Sequence, residues 1–147
     1  MRSLHVACVA AAAALLGSAA TLAVVRAEPS VARSTTFDWT KLEAKPIEVG
    51  SRREVMRSAT PTLDQLEIHI TTLNAGAVSH PPHRHSEEEL LIVKEGMVET
   101  LQNGKATKLG PGSIIFHSSN DLHNIRNIGA TPATYHVVQW RVAPTKR

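Results

Sequence analysis

Cysteine is almost missing: Cys8 is the only one in 147 residues. It lies inside an apolar N-terminal run, so the chain beyond that run has no thiol for a disulfide, a thiolate ligand or a nucleophile. Aromatic residues are nearly as scarce. Two Trp, two Phe and one Tyr make up 3% of the chain, and no basic run is interleaved with them, so nucleic-acid binding has no support. The apparent excess of positive charge also shrinks on inspection. Of 16 Lys and Arg, Arg2 and Arg26 fall in the N-terminal run, which leaves 14 against 13 Asp and Glu. There is no internal repeat and no amphipathic helical pattern. What remains is a series of short segments separated by Gly, Pro and Asn.

Residues 1–27 have the form of a secretory signal peptide: Arg2 near the start, an apolar run over 6–16 that resumes through 25, then small residues. Cleavage is expected after Ala27, with Ala20 as an earlier alternative. The apolar span approaches the length that crosses a bilayer, so retention as an anchor is the other reading. Cys8 does not stand in a lipid-attachment context. A disulfide-free exported domain suits the bacterial periplasm. Residues 28–60 read as a linker and N-terminal arm, 61–142 as one domain, and 143–147 as a tail.

Strand signals run through the domain. A short strand is expected around residues 47–56, with Arg52 and Arg53 facing opposite ways. Leu66, Ile68 and Ile70 alternate with Glu67, His69 and Thr71, the two-residue period of a half-buried strand. Residues 90–93 are continuously apolar, which predicts a strand covered on both sides. Asn103-Gly104 marks a hairpin between residues 97–102 and 105–109. Residues 113–117 and 134–142 complete the set. Many short strands at close spacing imply an all-β barrel or double-sheet sandwich.

One stretch carries the chemistry. His83 and His85 are two residues apart, so on a strand they share a face, and Glu89 keeps that parity. His123 and Asn127 follow downstream. Imidazole with carboxylate is a donor set for a divalent transition metal: iron, manganese, nickel or zinc. Gly76, His83, His85, Glu89 and Gly96 resemble the first motif of the cupin family, with one extra residue after Gly76. Gly112, His123 and Asn127 resemble the second, with Ser118 where proline is usual and Asn120 where glycine is usual. Asn readily takes the left-handed conformation that glycine would supply. The resemblance covers roughly residues 63–142 and implies a cupin jelly-roll β-barrel. It also implies one metal held by His83, His85, Glu89 and His123, and a homodimer paired through N-terminal arms and outer sheet faces.

The other histidines divide by position. His69 shares parity with Glu67 and Thr71: it is an acid/base candidate if that face lines the cavity, and a surface residue if not. His117 and His136 are each a cavity wall or a packing residue, and so are further catalytic candidates. His80 is expected on a loop at the mouth. Arg84, between the two ligand histidines, must point away and is expected in a salt bridge, while Glu87 and Glu88 are expected in solvent. The function expected is that of a metal-dependent enzyme on a small polar molecule, dioxygenase-like or a metal-assisted lyase, hydrolase or isomerase. The alternative is a non-catalytic periplasmic module that binds or senses a small molecule or metal. No membrane contact is expected beyond the leader.

Overall fold

The computed structural model describes residues 31–142. The expected leader and C-terminal tail therefore lie outside the described residues. Among those described, nine strands form two antiparallel sheets. The larger contains β1 (Lys45–Ile47), β2 (Gly50–Ser58), β3 (Leu63–Leu73), β9 (Ala133–Val142), β4 (Glu88–Glu95) and β7 (Ile114–His117), in that order. The smaller contains β6 (Lys105–Leu109), β5 (Val98–Gln102) and β8 (His123–Asn127). The all-β jelly roll is as expected, but the two sheets remain separate rather than closing into a barrel.

The hairpin falls where Asn103-Gly104 predicts. Both residues take positive φ, 47° and 88°, and join β5 to β6 in register. Asn120 likewise adopts φ 62° in a turn closed by the Asp121 amide donating to the Ser118 carbonyl at 3.1 Å. The strand expected around residues 47–56 lies within the expected arm at 28–60. β2 pairs along its length with β3, so residues 50–58 are part of the sheet, and only the segment before β1 lies over it. There Phe37, Trp39 and Leu42 share a groove with Ile68, Ile70 and His136 on the outer face. Lys94 Nζ caps the Trp39 ring at 3.4 Å, a cation–π contact that holds the segment down.

Leu73, Leu91, Val93, Val98, Ile115, Ile125, Ala133, Tyr135 and Val137 form one buried cluster drawn from both sheets. Each fully buried aliphatic side chain contributes about 1.5–3 kcal/mol. β4 shows why its apolar run was misleading: Leu91 and Val93 are buried, whereas Ile92 faces outward and is 38% exposed. That strand is covered on one side only. Asn127 is wholly buried and ties three segments together. Its Nδ2 donates toward the carbonyls of Leu73, Asn74 and Thr131, and its Oδ1 accepts from the Gly129 amide.

Candidate metal centre

The inner face of the larger sheet is ordered in rows across the strands. Glu67, Gln139, Glu89 and His117 are register partners in one row, and His69, Val137, Leu91 and Ile115 in the next. Partners in register stand side by side on one face, so the first row is a polar band crossing four strands.

His83 and His85 do not lie on β4 but in the stretch before it. His83 forms an isolated bridge with His123, in which each amide donates to the other's carbonyl at 3.1 Å. The His85 carbonyl accepts from the Asn120 amide at 2.8 Å. Extended backbone therefore keeps both imidazoles turned the same way, as strand parity would. Their ring centroids lie 5.3 Å apart, and 4.7 and 4.8 Å from that of His123. Glu89 Oε2 is 3.3 Å from His85 Nε2. All four residues predicted to hold a metal are thus brought together, in two overlapping groups that share His123. One is His83, His85 and His123; the other is Glu89, His117 and His123, with donor atoms in each group within 4.8 Å of one another.

Hydrogen bonds to carbonyls place the ring hydrogens. His85 Nδ1 donates to the Glu87 carbonyl at 3.0 Å, and His123 Nδ1 to the Asp121 carbonyl at 2.8 Å. That leaves each Nε2 with its lone pair, the tautomer a metal ligand needs. His123 Nε2 and His83 Nδ1 are buried without a hydrogen-bond partner among the described residues. Each such atom costs about 1–3 kcal/mol, a penalty a cation would relieve. Metal–donor bonds of about 2.1 Å put adjacent donors about 3 Å apart, close to the His85–Glu89 separation. The residues fit a divalent ion. Burial first, then neighbouring histidines, lowers the pKa of His83 and of His123, favouring the neutral form a ligand requires. Burial opposes ionisation of Glu89, but His117, His123 and His85 outweigh it and hold the carboxyl below its ordinary range.

A cavity of about 240 Å³ opens from this cluster, with Leu91, Ile125 and Val137 on its walls and Glu67 and His69 also lining it. His69 is therefore an inner residue. Its Nδ1 stands 3.3 Å from Glu67 Oε1, and Glu67 is anchored by Arg52 Nη2 at 2.7 Å. Burial, with Arg52 adding to it, lowers the His69 pKa. Tyr135 also lines the cavity, and its phenol is pushed up by burial. His80 is exposed at the rim, its ring 3.9 Å from that of His83.

Three expectations change. His136 is no cavity residue: it lies on the outer face, in the groove with Trp39. Arg84 makes no salt bridge among the described residues; its guanidinium donates to the Asn120 carbonyl and secures the turn. Glu87 and Glu88 are not simply solvated, since Glu87 pairs with Arg141 at 2.8 Å and Glu88 accepts from Trp140 Nε1 at 2.9 Å. Glu67 as partner of His69 and Gln139 beside His85 escaped sequence reading, although the shared parity of Glu67 and His69 was a usable signal.

Residues 69–139 match the family model described as the cupin domain. The fold is that of a cupin. Among solved structures, the chain resembles KdgF from Halomonas sp. at 20% identity and TM-score 0.62, over 74% of this chain and 96% of that one. It also resembles a predicted oxalate decarboxylase from Thermotoga maritima at 18% identity and TM-score 0.61, over 74% and 100%. The polyketide cyclase RemF from Streptomyces resistomycificus is similar at 17% identity and TM-score 0.58, over 76% and 83%. No curated protein matches the sequence. Such different activities on one cupin scaffold mean that fold does not select the reaction here.

Proposed function

We propose that this cupin is a metal-dependent enzyme acting on a small polar molecule in the bacterial periplasm, with His83, His85, Glu89 and His123 holding one divalent ion. Iron, manganese, nickel and zinc all suit that donor set. The observation that carries the reading is a group of buried, unpartnered imidazole nitrogens, on His83 and His123, beside the Glu89 carboxylate at a cavity that also reaches a His69–Glu67 pair. The ion would supply Lewis acidity, and redox capacity if it is iron or manganese.

The chain's own residues do the rest. Leu91, Ile125 and Val137 give the cavity an apolar wall, which strengthens the electrostatics beside it. His69 is neutral near pH 7 because its pKa is lowered, and so is a base for a substrate proton. Glu67, held by Arg52, sets a negative charge 3.3 Å from Nδ1, which favours the hydrogen on that nitrogen and leaves Nε2 as the base. The periplasmic setting rests on the N-terminal leader read from the sequence. We propose a homodimer too, supported by the exposed outer residues Ile92, Ile114 and Phe116.

Elemental analysis tests the metal. The purified wild-type protein and His80→Ala should carry close to one divalent ion per chain, and His85→Ala and Glu89→Ala almost none. Equal content in all of them would overturn the assignment. Turnover by the loaded wild type on a panel of small polar acids, sugars and phenols tests the enzyme reading. An unchanged molecule recovered from the native protein, with no turnover, would replace it by the non-catalytic binding module.

A further inference from the structure

His117 is 2% exposed, yet it occupies a position on β7 where Ile115, on the same inward face, is part of the apolar core. Packing alone would be met by another aliphatic side chain. Instead both ring nitrogens point at polar atoms. Nε2 lies 3.1 Å from Thr100 Oγ1, itself buried on β5 in the opposite sheet. Nδ1 lies 3.6 Å from Glu89 Oε1, its register partner on β4.

The two oxygens of Glu89 are divided in direction. Oε2 faces His85 at 3.3 Å, toward the histidine donors, and Oε1 faces His117. A carboxylate that gives one oxygen to a cation stays oriented only if the other is also engaged. An ionised carboxylate is acceptor-only, so attraction requires a hydrogen on His117 Nδ1. In the neutral ring Nε2 is then bare and shares the Thr100 hydroxyl hydrogen with the Asn124 carbonyl, which lies 3.2 Å from the same oxygen. The His117 ring also stacks on His123, with centroids 4.1 Å apart and planes 28° apart. One side chain thus braces two of the four donors.

We infer that His117 is a positioning residue of the metal centre: it holds Glu89 through Nδ1 while Thr100 holds its Nε2. The inference rests on the proposed cation at His83, His85, Glu89 and His123. His117 so placed supports the donors and is not itself bound to the ion.

The test compares two amides of different reach. His117→Asn keeps an N–H near the position of Nδ1, and His117→Gln keeps one near Nε2. Co(II) affinity of the purified full-length protein, measured by chelator competition, should fall about ten- to hundredfold in His117→Gln and only about threefold in His117→Asn. Nitrogen couplings in the EPR spectrum of the Cu(II)-loaded protein should count the same donors in wild type and His117→Asn. Equal losses in both variants, with matching losses in melting temperature, would show a merely structural role and overturn the inference. So would wild-type affinity in His117→Gln, and a missing nitrogen coupling in His117→Asn would show direct ligation instead. A wild type that binds no Co(II) removes the metal reading itself, which a normal wild type beside an unaffected His117→Gln does not.

Discussion

The two faces of the larger sheet are built from the same strands and differ most in one row. Inside, the row Glu67, Gln139, Glu89, His117 is wholly polar, and the row His69, Val137, Leu91, Ile115 keeps one polar member. Outside, Ile68, Val138, Leu90 and Phe116 form one row and Ile70, His136, Ile92 and Ile114 the next. In an ordinary half-covered sheet the apolar face turns inward. Here the inner face is polar at the end that carries the chemistry, and these two outer rows are apolar except for His136. Each polar inner group needs a partner, because a buried unpaired one is costly. Each apolar outer row needs a cover, which the N-terminal segment supplies over β3.

Substitutions on each face should break this contrast in different ways. The largest effect is expected inside. His69→Gln should lower turnover about 10²- to 10⁴-fold while leaving metal content and melting temperature near wild type. If the ion is lost with it, His69 belongs to the binding group rather than to proton transfer. Next comes the outer face beyond the arm, where Ile114 is 64% and Phe116 48% exposed. Phe116→Glu should shift the protein from dimer to monomer in sedimentation while cation binding persists. A monomeric wild type would remove the pairing.

The smallest effect concerns His136, whose pKa is lowered by burial and then by Lys94. The unfolded chain, with an ordinary value of about 6.5, binds the proton more readily. Its contribution to stability is therefore present above that value and lost as pH falls below it. His69, His83 and His123 shift the same way, so the informative quantity is a difference. Metal-free His136→Leu should lose less melting temperature between pH 7 and 5 than wild type. Parallel curves would show that His136 does not contribute.

These faces also mark what the residue pattern could and could not convey. Alternation along residues 66–71 established a strand with two unlike faces, since side-chain direction has a period of two. It could not say which face is inside, because that depends on the arm that covers Ile68 and Ile70. The spacing of His83, His85 and Glu89 still brought them together although the histidines are off the strand, because the His83–His123 bridge and the Asn120 amide hold that stretch beside the sheet. Glu89 and His117 could not be seen as neighbours in sequence. Their proximity comes from the β4–β7 register, set by chain segments far apart. The continuity of residues 90–93 misled for a related reason: Ile92 is apolar on behalf of the outer surface, not the core.

The paired amide–carbonyl bridge between His83 and His123 separates scaffolding from donor chemistry. Main-chain atoms, which every amino acid except proline carries in full, set the span between these two positions. Exchanging an imidazole there for a thiolate or a second carboxylate would change the hardness of the site without moving its frame. The same shell could in that way be retuned from one ion to another by single replacements, with no rebuilding of the loops that present them.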